Sequence, residues 1–180
     1  MRHVTLEEVF QHETVHKHLK RSGIAHAIAA AYHGYRLARQ YRVSPDLATK
    51  AALLHDIGHY TWFRNGQWDF DLYKENDIHA IKGAERAHRI LIELGESRRN
   101  AKEISLAILL HTDSYLPEGQ LYTTPLQKVV RLADEADEEP GGKHHYREID
   151  STIAADRIKK LDHMVNYALN DDEFEMKATV

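Results

Sequence analysis

A histidine–aspartate doublet, His55-Asp56, interrupts the apolar stretch AALLHDIGH at residues 51–59. Polar side chains at positions that apolar neighbours mark as buried are costly unless they are paired. Imidazole nitrogen and carboxylate oxygen together are typical ligands of transition-metal ions. The doublet therefore indicates a metal site at the end of a helix.

Further histidines and one aspartate occur in order on either side of the doublet, each near a predicted helix end or on an apolar face. Asp56 is adjacent to a candidate ligand and is the side chain placed to bridge two ions. Two ions about 3.5–4 Å apart would clamp phosphoryl oxygens and lower the pKa of a water, and one ion would still activate a water. The candidate metal ligands are His26, His55, Asp56, His79, His111 and Asp134.

The order H…HD…H…H…D resembles that of the HD-domain metal-dependent phosphohydrolases, over about residues 21–140. The phrases ALLHDIG, HAIKGAERA, LLHTD and RLAD carry the resemblance. Within that superfamily the chain is most similar to the YqeK-type symmetrical diadenosine-tetraphosphate hydrolases, which have a di-iron centre. The resemblance implies an all-α fold, a single HD domain over residues 1–180 built as a bundle of about six or seven helices with the metal site at its centre.

The resemblance also implies the cofactors and the reaction. Two divalent or trivalent transition-metal ions are expected, with iron first and manganese, cobalt or zinc as alternatives. The expected reaction is attack by a metal-bound hydroxide on a nucleotide phosphoanhydride or phosphoester, in its narrowest form the symmetrical hydrolysis of diadenosine tetraphosphate to ADP. The alternatives are a nucleotidase or triphosphohydrolase acting on mononucleotides, and a non-catalytic sensor that binds metal and nucleotide.

The chain departs from the YqeK-type pattern after Asp134. In that family an arginine follows the sixth ligand closely, whereas here none follows until Arg147. The segment between His111 and Asp134 is also longer. These departures concern the dinucleotide substrate and leave the metal ligands unchanged.

Several side chains near the ligands are candidates for catalysis or substrate binding, and each has a plainer alternative. His59 is a candidate catalytic proton donor or phosphate contact, or a solvent-facing turn residue. Lys82 and Arg86 share the helix face of His79 and are candidate phosphate contacts, but surface ion pairs are the alternative. Arg131 would bind phosphate or form a buried salt bridge, and Trp62, with its aromatic neighbours, would stack on a base or pack in the core.

The remaining histidines are expected to have structural roles. His33 follows His26 by two helical turns and is predicted to pack beside the site, while His88 lies half a turn away from His79. His144 and His145 follow a Gly-Gly pair and are predicted to lie in a solvated loop, although a loop could reach a pocket.

Capping patterns and hydrophobic periodicity predict helices throughout. Thr5 with Glu8 forms a capping box, Ser44-Pro45 and Thr124-Pro125 begin two other helices, and Asn65-Gly66 is a predicted turn. The predicted helices cover about residues 5–20, 23–42, 45–58, 77–94, 97–111, 125–136 and 149–169. Residues 113–123 are a predicted loop, Pro140-Gly141-Gly142 breaks the chain, and residues 170–180 form a flexible tail.

Composition narrows the function classes. The 180 residues are 42% hydrophobic and 29% charged, with no cysteine and a net charge of −4. This excludes disulfide and thiolate metal sites, offers no basic footprint for nucleic acid, and includes no apolar run of the about 20 residues that a membrane span needs. We expect a cytoplasmic protein whose partner is a nucleotide or other phosphorylated small molecule, and a homodimer remains open.

Overall fold

The computed structural model describes residues 2–60, 63–64, 67–69, 71–72, 75, 77–112 and 123–178, and within these ranges the all-α prediction is confirmed. A two-residue antiparallel pair, β1 (Phe63–Arg64) with β2 (Gln67–Trp68), flanks the predicted Asn65-Gly66 turn, which itself lies outside the described residues. The described helices are α1 (Leu6–Gln11), α2 (Glu13–Ser22), α3 (Ile24–Tyr41), α4 (Pro45–Leu54), α5 (His79–Glu93), α6 (Arg98–Leu109), α7 (Pro125–Glu135), a 3-10 segment (Pro140–Tyr146) and α8 (Ser151–Ala178).

The predicted helix starts are confirmed at three places. Thr5 and Thr124 form capping boxes with Glu8 and Gln127, and the Ser44 hydroxyl accepts from the Leu47 backbone N–H before Pro45. Each cap satisfies a backbone donor that a helix end leaves free. The last helix is longer than predicted and continues to Ala178.

The prediction of one helix from Thr5 to Lys20 is wrong, because His12 is extended and separates α1 from α2. A continuous helix would rotate Val15 about 140° away from Phe10, since five residues turn the helix by about 500°. Both side chains are buried in the structure. The break therefore lets the apolar faces of both short helices pack on the same core.

Helices α3 and α4 form the centre of the fold. The buried face of α3 carries small residues, and an added Cβ at Gly34 would lie 3.0 Å from the Ala48 carbonyl oxygen of α4. Helices with small contact residues can approach closely. This contact positions His26 on α3 next to the end of α4.

The predicted end of the third helix at Gly58 is wrong, because α4 ends at Leu54 and residues 55–58 form a turn. At Gly58 an added Cβ would lie 1.8 Å from the His79 carbonyl oxygen and 2.4 Å from the Gly83 nitrogen. The turn therefore lies directly on the first turn of α5. This close contact holds His55 and Asp56 beside His79.

A buried ionic network connects the N-terminal segment to α4 and to the end of α5. Lys50 is fully buried and its Nζ lies 2.7 Å from both Asp46 Oδ2 and Glu96 Oε2. Arg2 binds the other oxygen of Asp46 at 2.7 Å and Asp162 of α8 at 2.6 Å. A buried ammonium needs such partners, since an unpaired buried charge is strongly unfavourable.

No helix within the described residues combines the length and the apolar character needed to cross a membrane.

Candidate metal centre

The six predicted ligands converge at one point inside the bundle. The first half of this cluster joins α3, the end of α4 and α7. His26 Nε2 and His55 Nε2 lie 3.2 Å apart, and each lies 3.2 Å from Asp134 Oδ1. Both imidazoles are fully buried. Three segments that are distant in sequence thus bring two nitrogens and a carboxylate together.

The second half of the cluster joins the start of α5 and the end of α6. His79 Nε2 and His111 Nε2 lie 3.2 Å apart, and both side chains are buried. His111 follows the C-terminal turn of α6, as predicted from its position at the end of the apolar run.

Asp56 lies between the two halves. Its Oδ2 is 3.4 Å from His55 Nε2 and 3.8 Å from His26 Nε2. Its Oδ1 is 3.6 Å from His79 Nε2 and 3.7 Å from His111 Nε2. One carboxylate oxygen thus faces each half, which is the arrangement expected of a bridging ligand.

The hydrogen bonds of the Nδ1 atoms show which nitrogen of each of the four imidazoles carries the proton. His55 Nδ1 lies 2.7 Å from the Ala52 carbonyl oxygen, and His111 Nδ1 lies 2.6 Å from that of Ile108. A carbonyl oxygen only accepts, so both Nδ1 atoms carry the proton. His26 and His79 donate in the same way to Asp137 Oδ2 at 2.8 Å and Asp77 Oδ1 at 2.7 Å.

It follows that each of the four imidazoles, when it is neutral, directs an unprotonated Nε2 toward the centre of the cluster. Two such lone pairs 3.2 Å apart repel unless a cation, either a metal ion or a proton, lies between them, and a contact of this kind occurs once in each half. Imidazole with its second nitrogen fixed by a carbonyl or carboxylate is the usual state of a metal-ligating histidine. The donor set fits two transition-metal ions that accept nitrogen and oxygen ligands.

The two carboxylates of the cluster, Asp56 and Asp134, carry negative charge that favours a bound cation. Burial raises the pKa of Asp56, but His55 and His59 outweigh it and hold the pKa well below its ordinary value. Burial likewise opposes ionisation of Asp134, whose pKa is nevertheless lowered by His55 and His26. Conversely, the pKa of His55 is raised well above its ordinary value, since the two carboxylates outweigh burial. One buried and one half-buried carboxylate thus attract positive charge.

His59, predicted as catalytic or as a turn residue, lies at the second half of the cluster. Its Nε2 is 3.1 Å from Asp56 Oδ1, and its ring stacks on His79 at 4.3 Å with an interplanar angle of 10°. Its pKa is raised because Asp56 outweighs burial. The imidazole therefore contacts the cluster directly and does not face solvent.

The prediction that His144 and His145 lie in a solvated loop is wrong. The 3-10 segment folds back so that His144 is buried and its ring lies 4.5 Å from that of His26. His145 Nδ1 is 3.7 Å from Asp56 Oδ2, and burial is the main reason that its pKa is lowered to about 4. Positive φ angles at Gly141 and Gly142 allow this reversal, which the sequence indicated only as a chain break.

The candidate substrate contacts that the structure describes each have another partner in the protein. Arg86 donates to the Ile57 carbonyl oxygen and so stabilises the turn after the doublet. Lys82 is exposed, with Nζ 3.9 Å from the centre of the Tyr60 ring. Arg131 is exposed and lies 3.5 Å from Glu135, and Trp62 lies outside the described residues.

Three side chains that contact the candidate ligands or their partners were not among the predicted site residues. Asp77 and Asp137 orient His79 and His26, and Arg147 in turn binds Asp137. A carboxylate two residues before His79 and another three residues after Asp134 were the available signals. The remaining predicted neighbours, His33 and His88, are half-buried and exposed respectively.

Comparisons with known proteins point in one direction. The HD domain family model matches residues 23–139. A Bacillus subtilis (strain 168) protein named "Putative phosphohydrolase YueE" is 63% identical over 168 residues, covering 93% of this chain and 96% of that protein. No solved structure gives a significant match.

Proposed function

The chain belongs to the HD domain family of metal-dependent phosphohydrolases, and we propose that it hydrolyses a phosphoanhydride or phosphoester bond of a nucleotide. The observation that carries the proposal is the pair of Nε2–Nε2 contacts, each 3.2 Å, on either side of Asp56. Nitrogens prepared in this way would hold two metal ions, with His26, His55 and Asp134 at one, His79 and His111 at the other, and Asp56 between them. Iron is our first choice of metal, followed by manganese, cobalt and zinc.

When bound, two such ions neutralise phosphoryl oxygens and lower the pKa of a water. The chain's own residues then have three tasks. Asp77 and Asp137 hold the imidazole rings of His79 and His26 in place. Asp56 lies between the halves, and His59 offers a ring nitrogen beside Asp56 Oδ1. His59 is therefore the side chain that we assign to proton transfer.

The narrowest form of the proposal is symmetrical hydrolysis of diadenosine tetraphosphate to two ADP. Its phosphates would need cationic contacts beyond the metal ions. Arg147, the first arginine after Asp134, binds Asp137 at the edge of the first half. Arg147 comes later in the sequence than the arginine of the YqeK-type pattern, but it lies near the cluster in space. Both a dinucleotide and a mononucleotide therefore remain candidate substrates.

The test combines metal analysis with a nucleotide panel. We expect close to two transition-metal ions per chain after purification without chelator, and turnover of at least one nucleotide. Two ADP from diadenosine tetraphosphate would select the symmetrical reaction, AMP plus ATP would show a different cleavage, and turnover of mononucleotides alone would select a nucleotidase or triphosphohydrolase. Full metal content with binding but no cleavage of any nucleotide would favour the sensor and contradict the proposal.

A further inference from the structure

The 3-10 segment Pro140–Tyr146 places a polar side chain beside the cluster that the mechanism above does not use. His144 is only 6% exposed, and ring nitrogens of His26, His144 and His145 lie within 4.8 Å of one another. A buried polar side chain beside a charged centre requires a partner. The hydrogen bond of the His144 ring to the backbone indicates which kind of partner it can bind.

The tautomer of His144 is fixed by the backbone. The Glu139 N–H donates to His144 Nδ1 at 2.9 Å. A backbone N–H can only donate, so this Nδ1 carries no proton and the neutral ring must carry it on Nε2. His144 is thus the reverse of the four candidate metal ligands, whose protons lie on Nδ1.

The Nε2–H of His144 is available for a ligand. Among the described residues, no hydrogen bond or ion pair uses this nitrogen. Its neighbour His145 cannot take the same role in the neutral state, because His145 Nδ1 donates to the Ser22 carbonyl oxygen at 2.7 Å and leaves Nε2 unprotonated.

The segment that carries His144 is anchored on both sides. Arg147 binds Asp137, the carboxylate that orients His26, and its backbone N–H donates to the His144 carbonyl oxygen at 3.4 Å. On the other side, an added Cβ at Gly23 would lie 2.9 Å from the His145 backbone. A donor held this firmly loses little conformational entropy when it binds.

We propose that His144 is an oxyanion donor of the active centre, directing its Nε2–H at a phosphate oxygen bound beside the first half of the cluster. The inference rests on the proposed function and adds the residue that binds the phosphate group. The ligand class is a tetrahedral phosphate oxyanion, belonging either to the substrate or to the product. Hydrogen bonds from fixed donors to an ionised oxygen are stronger than those between neutral groups.

Two substitutions separate a donor from a merely structural histidine. In His144→Asn the amide oxygen can still accept from the Glu139 N–H, but the Nε2 donor is lost. In His144→Gln the amide nitrogen reaches the position of Nε2 and can donate. His88→Asn, an exposed histidine on α5, is the matched control.

The experiment measures binding of inorganic phosphate to the metal-loaded full chain by calorimetry, with metal content and helical circular dichroism determined for each variant. We expect His144→Asn to weaken phosphate binding about 10- to 100-fold at unchanged metal content, as loss of one charge-assisted hydrogen bond implies. His144→Gln should recover most of the affinity, and His88→Asn should match the wild type.

Equal phosphate affinity of His144→Asn and wild type would overturn the proposal. Equal weakening in the Asn and Gln variants would also overturn it, since that would assign His144 a structural role, as would a metal-loaded wild type that binds no phosphate. Phosphate binding that depends on His144 in a protein that cleaves no nucleotide would support the oxyanion donor while rejecting the proposed function.

Discussion

At the scale of single residues, Asp56 connects the two halves of the cluster through its two carboxylate oxygens. Asp56→Asn keeps the volume and removes the charge, so we expect most of both metal ions and nearly all turnover to be lost while the helices remain. Elemental analysis and circular dichroism would measure this, with the exposed Asp156→Asn as control. A variant with normal metal content and normal turnover would contradict the bridging role.

His59 allows a second test at the same scale, since it touches Asp56 without belonging to the six ligands. We expect His59→Gln to lower the turnover number about 100-fold, the typical contribution of one proton donor, while metal content stays near two. His88→Gln, exposed on α5, should leave turnover unchanged. If both variants match the wild type, His59 is only a turn residue beside the cluster.

The sequence indicated which side chains lie together in the cluster, but not which residues orient them. The six candidates could be selected because their order and their apolar neighbours are visible in the sequence. The partners of their Nδ1 atoms could not, because those contacts depend on the fold. Asp137 reaches His26 from 111 residues away, and no local pattern encodes that hydrogen bond. The same reason explains why His144 and His145 could not be assigned to the site from a Gly-Gly pair.

At the scale of elements, the contact between the 55–58 turn and α5 sets the distance between the two halves. Gly58→Ala would force a Cβ to within 1.8 Å of the His79 carbonyl oxygen, so the turn must move away from α5. We expect the free energy of unfolding to fall by at least about 1–3 kcal/mol. The metal content should also be reduced. Chemical denaturation and elemental analysis would measure both.

Gly95→Ala is the comparison for that variant. Gly95 has a φ of +93° but an added Cβ there would meet nothing within 4 Å. The cost should be that of backbone strain alone, about 1–3 kcal/mol, and the metal content should not change. If Gly95→Ala lost metal as readily as Gly58→Ala, general destabilisation would explain the loss of metal, and not the contact between the 55–58 turn and α5.

Helix starts were predictable because caps are local, and helix ends were less so because they depend on packing. Thr5, Ser44 and Thr124 begin helices as expected from their side chains. The end of α4 at Leu54 is followed by the 55–58 turn that contacts α5, and the break at His12 lets α1 and α2 share one core. Neither of these contacts is visible within a window of a few residues.

At the scale of the whole molecule, the network around Lys50 predicts how stability depends on pH. Burial would raise the pKa of Glu96, but its hydrogen bond and charge contact with Lys50 outweigh this and lower it. A pKa depressed in the folded state contributes stability above the unfolded value of about 4.3, and this contribution is lost as pH falls through the folded value. Acid should therefore remove this contribution.

Glu96→Gln tests that sign. We expect the variant to be less stable than the wild type by about 1–3 kcal/mol at pH 7, because Lys50 loses a charged partner. The difference should shrink as the pH falls from about 4.3 through the lower folded-state pKa, because the wild-type carboxylate becomes protonated first in the unfolded and then in the folded state. Urea denaturation across this pH range would measure it, and a difference that grows in acid would contradict the assignment.

Metal binding should stabilise the whole fold, because the six candidate ligands come from five separate segments. Metal at 100 times its dissociation constant adds about 2.7 kcal/mol, which for a chain of this size raises Tm by about 5–10 °C. Removing the metal with a chelator should lower Tm by that amount in the wild type. The Asp56→Asn variant should show little change, and an equal decrease in both proteins would mean that the chelator acts elsewhere.

The two halves of the cluster differ in when they can exist during synthesis. The second half needs only Asp56, His79 and His111, all of which precede α7 in the chain. The first half joins His26 to residues as far along as Asp137, 111 positions later. Because chains emerge from the N-terminus, the His79–His111 half is complete in the chain before the His26–His55 half, and we expect a metal ion to reach the His26–His55 half only after Asp134 and Asp137 have been released.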